Sequence, residues 1–220
     1  MIHVYAFAER LRALPAVEGV DGAALEAVTT DDVATVFSRR QRQTTNDTLQ
    51  ADALIHGTVV DALRDSAVVV VPVRFGEELL DDAALKKAVG EQAGTIGRTF
   101  DRVRDCDEVG VRVWDRPLGP ARPAASGAAY LHERRAAERR RRETVEQLHR
   151  QLSTIAREAR VTESFTFERE LFSAAYLVRS SRLRELRATV GGFIDAYPEL
   201  TVVCTGPWAP FSFTGGERAQ

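Results

Sequence analysis

A two-domain α+β architecture is what this sequence predicts, and three observations predict it. The first is length: 220 residues suffice for two domains of about 100 residues each. The second is a run of strand-type and helix-type patterns from about Val109 to about Thr205, in the order β-α-β-β-α-β. The third is that similar parts occur in a less regular order in the first half. With no short repeat present, any internal repeat is one at domain scale. The boundary is placed between 104 and 105. This gives an N-terminal α+β domain over 1–104 and a C-terminal domain over 105–220 with a long helix and an apolar tail.

Taken in order, Ile2 to Phe7 alternates apolar and amphipathic residues and predicts a strand. Ala24 to Val28 and Val33 to Phe37 predict two short strands around a Thr29-Thr30-Asp31-Asp32 turn. Ser38 to Asn46, polar and basic, is an exposed connection. Asp47 is a plausible N-cap for a helix to Arg64, with Leu49, Ala53, His56, Val60 and Leu63 at helical spacing. Val68 to Val73 is a continuous β-branched run, the mark of a central strand covered on both faces. Glu77 to Val103 predicts a helix weakened by Gly90, Gly94 and Gly97.

In the second half, Val109, Val111 and Val113 alternate in a strand, and three prolines stiffen the loop from Asp115 to Ala125. Gly127 to Arg160 predicts a long helix, with Val145, Leu148, Leu152, Ile155 and Ala159 on one face. Val161–Phe167 and Leu171–Val178 predict strands, and Ser180–Tyr197 a helix. Leu200, Val202 and Cys204 face one way on a last strand. This is the split βαβ pattern of a ferredoxin-like domain, two helices on one face of a four-stranded antiparallel sheet. The N-terminal domain is expected to be a modified version of the same α/β sandwich.

Composition narrows the function. Hydrophobic residues are 44% and charged residues 28%, as in an ordinary globular protein. A net charge of −2 argues against a dedicated nucleic-acid binder. Cys106 and Cys204 lie far apart with no metal-ligand spacing, so neither a zinc site nor a disulfide scaffold is expected. No apolar run reaches the roughly 18 residues that span a bilayer. The apolar start from Met1 to Ala8 lacks a basic leader and meets Glu9-Arg10 too early for a secretory signal.

Catalytic signatures are missing: there is no P-loop, no HExxH, no GxSxG and no GxGxxG after a strand. Cys204 reads as a small core residue, and Cys106, between Asp105 and Asp107, as a poor nucleophile. His56, on the inner stripe of its helix, reads as neutral and held by a backbone or carboxylate partner. His3 reads as structural, and His132 and His149 as solvated. Arg134 to Arg142 is dense in guanidinium, but no aromatic is interleaved for base stacking. It reads as a solvated or protein-contacting helix face. Arg74, after a strand and before Phe75-Gly76, reads as a tie to loop carbonyls. Gly206-Pro207-Trp208-Ala209-Pro210-Phe211-Ser212-Phe213 is an apolar, proline-stiffened tail that must pack on its own domain or on a partner.

Together VPVRFG, SGAAYLHERR, LFSAAYLV and GPWAPFSF resemble, in this order, the motifs of the gas vesicle protein F/L family (GvpF/GvpL). DALIHGTVVDAL around His56 resembles the family's helix before the RFG strand. The likeness runs from His3-Val4-Tyr5 to Phe213. Ala209 and Phe211 depart from the family's usual proline and tyrosine, and Glu77-Glu78 replaces a common threonine. The resemblance implies a non-enzymatic accessory or minor structural protein of gas vesicles, in the cytoplasm, without cofactor. It implies binding to the small hydrophobic shell protein GvpA and to other gas vesicle accessory proteins, with help in starting shell assembly. Neither nucleic acid nor membrane is an expected partner. The contact candidates are Arg74, Phe75, Tyr130, Arg134, Arg135, Trp208, Phe211 and Phe213. The competing expectation is a small-molecule sensor whose pocket Arg74 and His56 would line.

Overall fold

The structure is a computed structural model that describes residues 1–41, 45–116, 127–162 and 169–215, with side chains in the long helix from residue 131 onward. It divides into two compact units. One is Met1–Cys106 together with the chain from Trp208 onward; the other is Asp107–Pro207. The tail expected to belong to the C-terminal domain is thus part of the first unit, because Ala209 and Phe211 pack into that unit's apolar core.

In the first unit the central strand is β1 (Ile2–Glu9). On one side it pairs antiparallel with β3 (Val33–Arg39), with a bulge between Val4 and Ala6. On the other side β4 (Val69–Pro72) lies opposite Ala6–Glu9, and the two-residue β5 (Glu78–Leu79) lies opposite Ile2–His3. β2 (Leu25–Thr30) forms a hairpin with β3, so the order is β2-β3-β1-β4. Two helices cover the sheet. α1 (Leu49–Arg64) buries Val59, Val60 and Leu63 against Tyr5, Ala8 and Val70. α2 (Asp82–Val103) brings Leu85 against Ile2, Val4 and Phe37. Alternation along β1 sends Ile2 and Val4 to one helix and Tyr5 to the other.

Three expectations are corrected here. β4 is fully buried but ends the strand path, and β1 holds the centre. Thr48, not Asp47, precedes α1 and makes no side-chain cap. The helix expected from Glu77 begins at Asp82, because Glu78–Leu79 pair with β1 and Asp81 accepts the Ala84 N–H at 2.9 Å, a strong N-terminal stop signal.

The second unit runs β6 (Cys106–Asp115), α3 (Gly127–Ile155), β7 (Glu158–Val161), β8 (Glu170–Arg179), α4 (Leu183–Ala196) and β9 (Leu200–Trp208), with strand order β7-β8-β6-β9. Val109, Val111 and Val113 of β6 pack with Val145, Leu148, Leu152 and Ile155 of α3 and with Leu186, Val190 and Phe193 of α4. α3 ends at Ile155 rather than Arg160. Arg182 donates to the carbonyls of Thr154 and Ile155 at 3.1 and 2.9 Å, satisfying groups the last turn leaves unpaired. Glu158–Val161 then pairs antiparallel with Ala174–Leu177, earlier than the strand expected from Val161. Residues 163–167 of that expectation, and 117–125 of the proline-rich loop, lie outside the described residues. Cys204, expected in the core, is exposed, because β9 is an edge strand.

The two sheets share a strand order. Numbered within each unit, both read second-third-first-fourth. In the first unit a loop with a short 3-10 turn (Val20–Gly22) stands where the second has α3, and α2 follows the fourth strand.

Candidate functional site

The first unit holds a polar and aromatic cluster inside an otherwise aliphatic core. His3 projects from β1 and His56 from α1; both are buried, and His3 Nε2 lies 2.9 Å from His56 Nδ1. The Val73 carbonyl accepts from His56 Nε2 at 3.0 Å. A carbonyl only accepts, so the proton of His56 sits on Nε2, and its bare Nδ1 takes the proton of His3 Nε2. Among the described residues His3 Nδ1 is left as a buried acceptor without a partner. Burial pushes both imidazoles down to about 4, with the His56 and Arg40 charges adding to the effect on His3 and the bond to Val73 opposing it on His56. Both rings are therefore neutral near pH 7.

Tyr5 closes the cluster. Its hydroxyl accepts the Val20 N–H at 2.7 Å and bonds Ser38 Oγ at 2.8 Å, and burial holds its pKa above the ordinary value. Gly19 makes this possible: a Cβ there would stand 2.4 Å from the Tyr5 hydroxyl.

Two aromatics from distant segments complete the packing. Phe75 lies with its ring centroid 5.5 Å from His3 and 5.7 Å from His56, held by a turn in which Gly76 takes φ +93°. Phe211 of the tail lies 6.1 Å from His56. The segments around His3, His56, Phe75 and Phe211, read separately along the sequence, thus converge on one place. With both histidines neutral, the Tyr5 hydroxyl doubly bonded and no free nucleophile among these groups, the cluster is suited to anchoring the turn and the tail.

Beside it sits a guanidinium that sequence reasoning missed. Arg40, read as part of an exposed connection, is only 5% exposed. It pairs with Glu78 at 2.8 Å, Asp52 at 3.1 Å and Asp21 at 3.3 Å. Burial opposes its charge, but these carboxylates outweigh it and hold its pKa above the ordinary value. The available signal was Asp52, one helical turn before His56 on the same face of α1.

The nominated contact residues fall in different places. Phe75 and Phe211 are half-buried in the cluster, and Phe213 is fully buried. Trp208 remains 48% exposed at the end of β9. Arg74 is exposed against Gly215 and, among the described residues, makes no tie to loop carbonyls. Arg134 and Arg135 are exposed on α3, Arg134 pairing with Glu138 at 3.3 Å. The Tyr130 side chain lies outside the described residues. His149, expected to be solvated, is half-buried and bonds the Tyr176 hydroxyl at 2.8 Å. Among the described residues no group of acidic, His and Cys side chains could hold a metal ion, and no helix is long and apolar enough to cross a membrane.

Comparison with known proteins agrees along the whole chain. The family described as gas vesicle synthesis protein GvpL/GvpF matches residues 1–215. Gas vesicle protein L of a Streptomyces strain is 30% identical over 193 residues, covering 77% of this chain and 71% of that protein. Gas vesicle protein F2 of Halobacterium salinarum is 27% identical over 184 residues, covering 80% and 76%. In fold, the chain is similar to the crystal structure of GvpF from Anabaena, with a TM-score of 0.77 at 14% identity over 99% of this chain and 97% of that one. GvpF from Microcystis aeruginosa gives the same TM-score and identity over 98% and 99%.

Proposed function

This chain belongs to the GvpL/GvpF family of gas vesicle synthesis proteins, and from that premise we propose that it is a non-enzymatic assembly factor that covers the apolar surface of the small shell protein GvpA, delivers it to a nucleus and so assists the start of gas vesicle assembly. A small amphipathic subunit exposes apolar surface before it assembles, and such surface aggregates unless another protein masks it. The observation that carries this reading is the exposure of Trp208 at the end of edge strand β9, where Val203 is also 41% exposed. An exposed edge next to apolar side chains supports strand addition as the contact mode. We read the second unit as ferredoxin-like, which the strand order β7-β8-β6-β9 supports. The work is placed in the cytoplasm, at the forming vesicle, with other gas vesicle proteins as further partners. Co-purification with the shell protein tests the proposal. Association is expected for the wild type and weakened in Trp208→Ala; no association by an intact, folded protein would overturn it.

A further inference from the structure

The first unit is assembled from two pieces of chain. Its sheet and helices come from Met1–Cys106, and the second piece arrives only after the whole of the second unit. That late piece is part of the interior. Ala209 is fully buried, Pro210 is buried, and Phe211 packs on the same core with its ring 6.1 Å from that of His56. It also keeps its own shape. The Phe211 N–H donates to the Ala209 carbonyl at 2.8 Å, the Phe213 N–H to the Pro210 carbonyl at 3.0 Å, and the Thr214 hydroxyl to the Phe211 carbonyl at 3.3 Å. A segment already shaped in this way loses little further freedom when it docks.

The hand-over from one unit to the other is short. Arg187 of the second unit donates to the Gly206 carbonyl at 2.8 Å, and by Ala209 the chain is inside the first unit's core. Only Pro207 and Trp208 lie between. A connection this short, at the boundary of two compact units, is where a terminal element passes to a neighbour. Turning a few backbone angles there redirects the tail and leaves both units as they are. The seat makes the same contacts whichever chain supplies the tail, so concentration decides between the closed and the exchanged form.

We propose that this chain dimerises by exchanging its tail, residues 209–213 of each copy filling the seat in the first unit of the other. The seat itself names the occupant: it is filled here by this segment, and a second copy brings the identical one. In the exchanged pair the cluster of His3, His56 and Phe75 is completed by Phe211 of the other copy, so the candidate site draws on two chains. The contact is reciprocal, as closed two-fold association requires. It stands independently of the shell-protein reading.

Gel filtration with light scattering on the purified full chain, over a roughly hundredfold range of concentration, reads the dimer. The dimer is expected to grow with concentration. Inserting Gly-Gly-Ser between Pro207 and Trp208 changes no packed residue and lets each tail reach its own seat. It is expected to weaken the dimer by roughly tenfold or more. To show which chain each tail sits in, His56→Cys and Phe211→Cys are placed in a Cys106→Ser, Cys204→Ser background and joined with a short bismaleimide. Links between chains are expected in the dimer fraction. Links within chains only, or a dimer that the insertion leaves unchanged, would mean association through another surface and overturn the proposal. A monomer throughout the range would overturn it as well. If the cysteine variant does not fold, the insertion variant still decides.

Discussion

His3 Nε2 and His56 Nδ1 meet at 2.9 Å across 53 positions of sequence, and neither ring touches solvent to more than 1%. The pair joins the central strand to α1, and through Val73 and Phe75 to the turn that follows β4.

That pairing makes stability depend on pH. Both histidines fall from 6.5 unfolded to about 4 folded, so the unfolded chain binds more protons between those values. Their neutral pairing is fully stabilising above about pH 6.5 and is lost progressively as pH falls to about 4, by about 3 kcal/mol at most for each histidine. Urea melts from near pH 7 to about pH 5 should show the decline, and His56→Gln should flatten it. Equal midpoints across that range would contradict the neutral pair.

Arg40→Met should be strongly destabilising. It removes the almost fully enclosed guanidinium that Asp21, Asp52 and Glu78 share. Breaking a buried ion network this way costs about 3–5 kcal/mol. Adding Asp52→Leu should recover part of the loss in denaturant titrations; strictly additive losses would show that the two side chains are not coupled.

Gly19→Ala should lower stability by about 1–3 kcal/mol, since its Cβ would drive the Tyr5 hydroxyl from both Val20 and Ser38. In a Tyr5→Phe background, where the colliding oxygen is gone, the same change should do less. A double-mutant cycle reads the difference.

Trp208→Ala and Phe213→Ala separate surface from anchor. Phe213 is fully buried, and its truncation should cost about 3–5 kcal/mol. Trp208→Ala should stay within about 0.5 kcal/mol of wild type while reducing association with the shell protein. A large loss of stability on removing Trp208 would assign it a packing role.

Local periodicity foretold much of this molecule, and it fell short where a partner lies far along the chain. Val145, Leu148, Leu152 and Ile155 lie buried on one face of α3 as their spacing requires. The end of that helix depends on Arg182, about 28 positions away, which no local pattern contains. His149 looked solvated because Tyr176 belongs to another element. Arg40 looked exposed because its three carboxylates come from a loop, a helix and a strand that only the fold assembles. Cys204 follows its strand's alternation, but alternation does not say which strand ends a sheet. At the candidate site, the segments around His3, His56, Phe75 and Phe211 were each legible; their convergence was not.

The second unit interrupts the first in sequence: residues 107–207 separate the first segment from the Ala209 and Phe211 that pack in its core. During synthesis, the portion translated earliest must therefore wait, incompletely sealed, until the intervening hundred or so residues have left the ribosome. A nascent chain stalled before Ala209 would present that unfinished half to chaperones and proteases beside an inserted half able to settle independently.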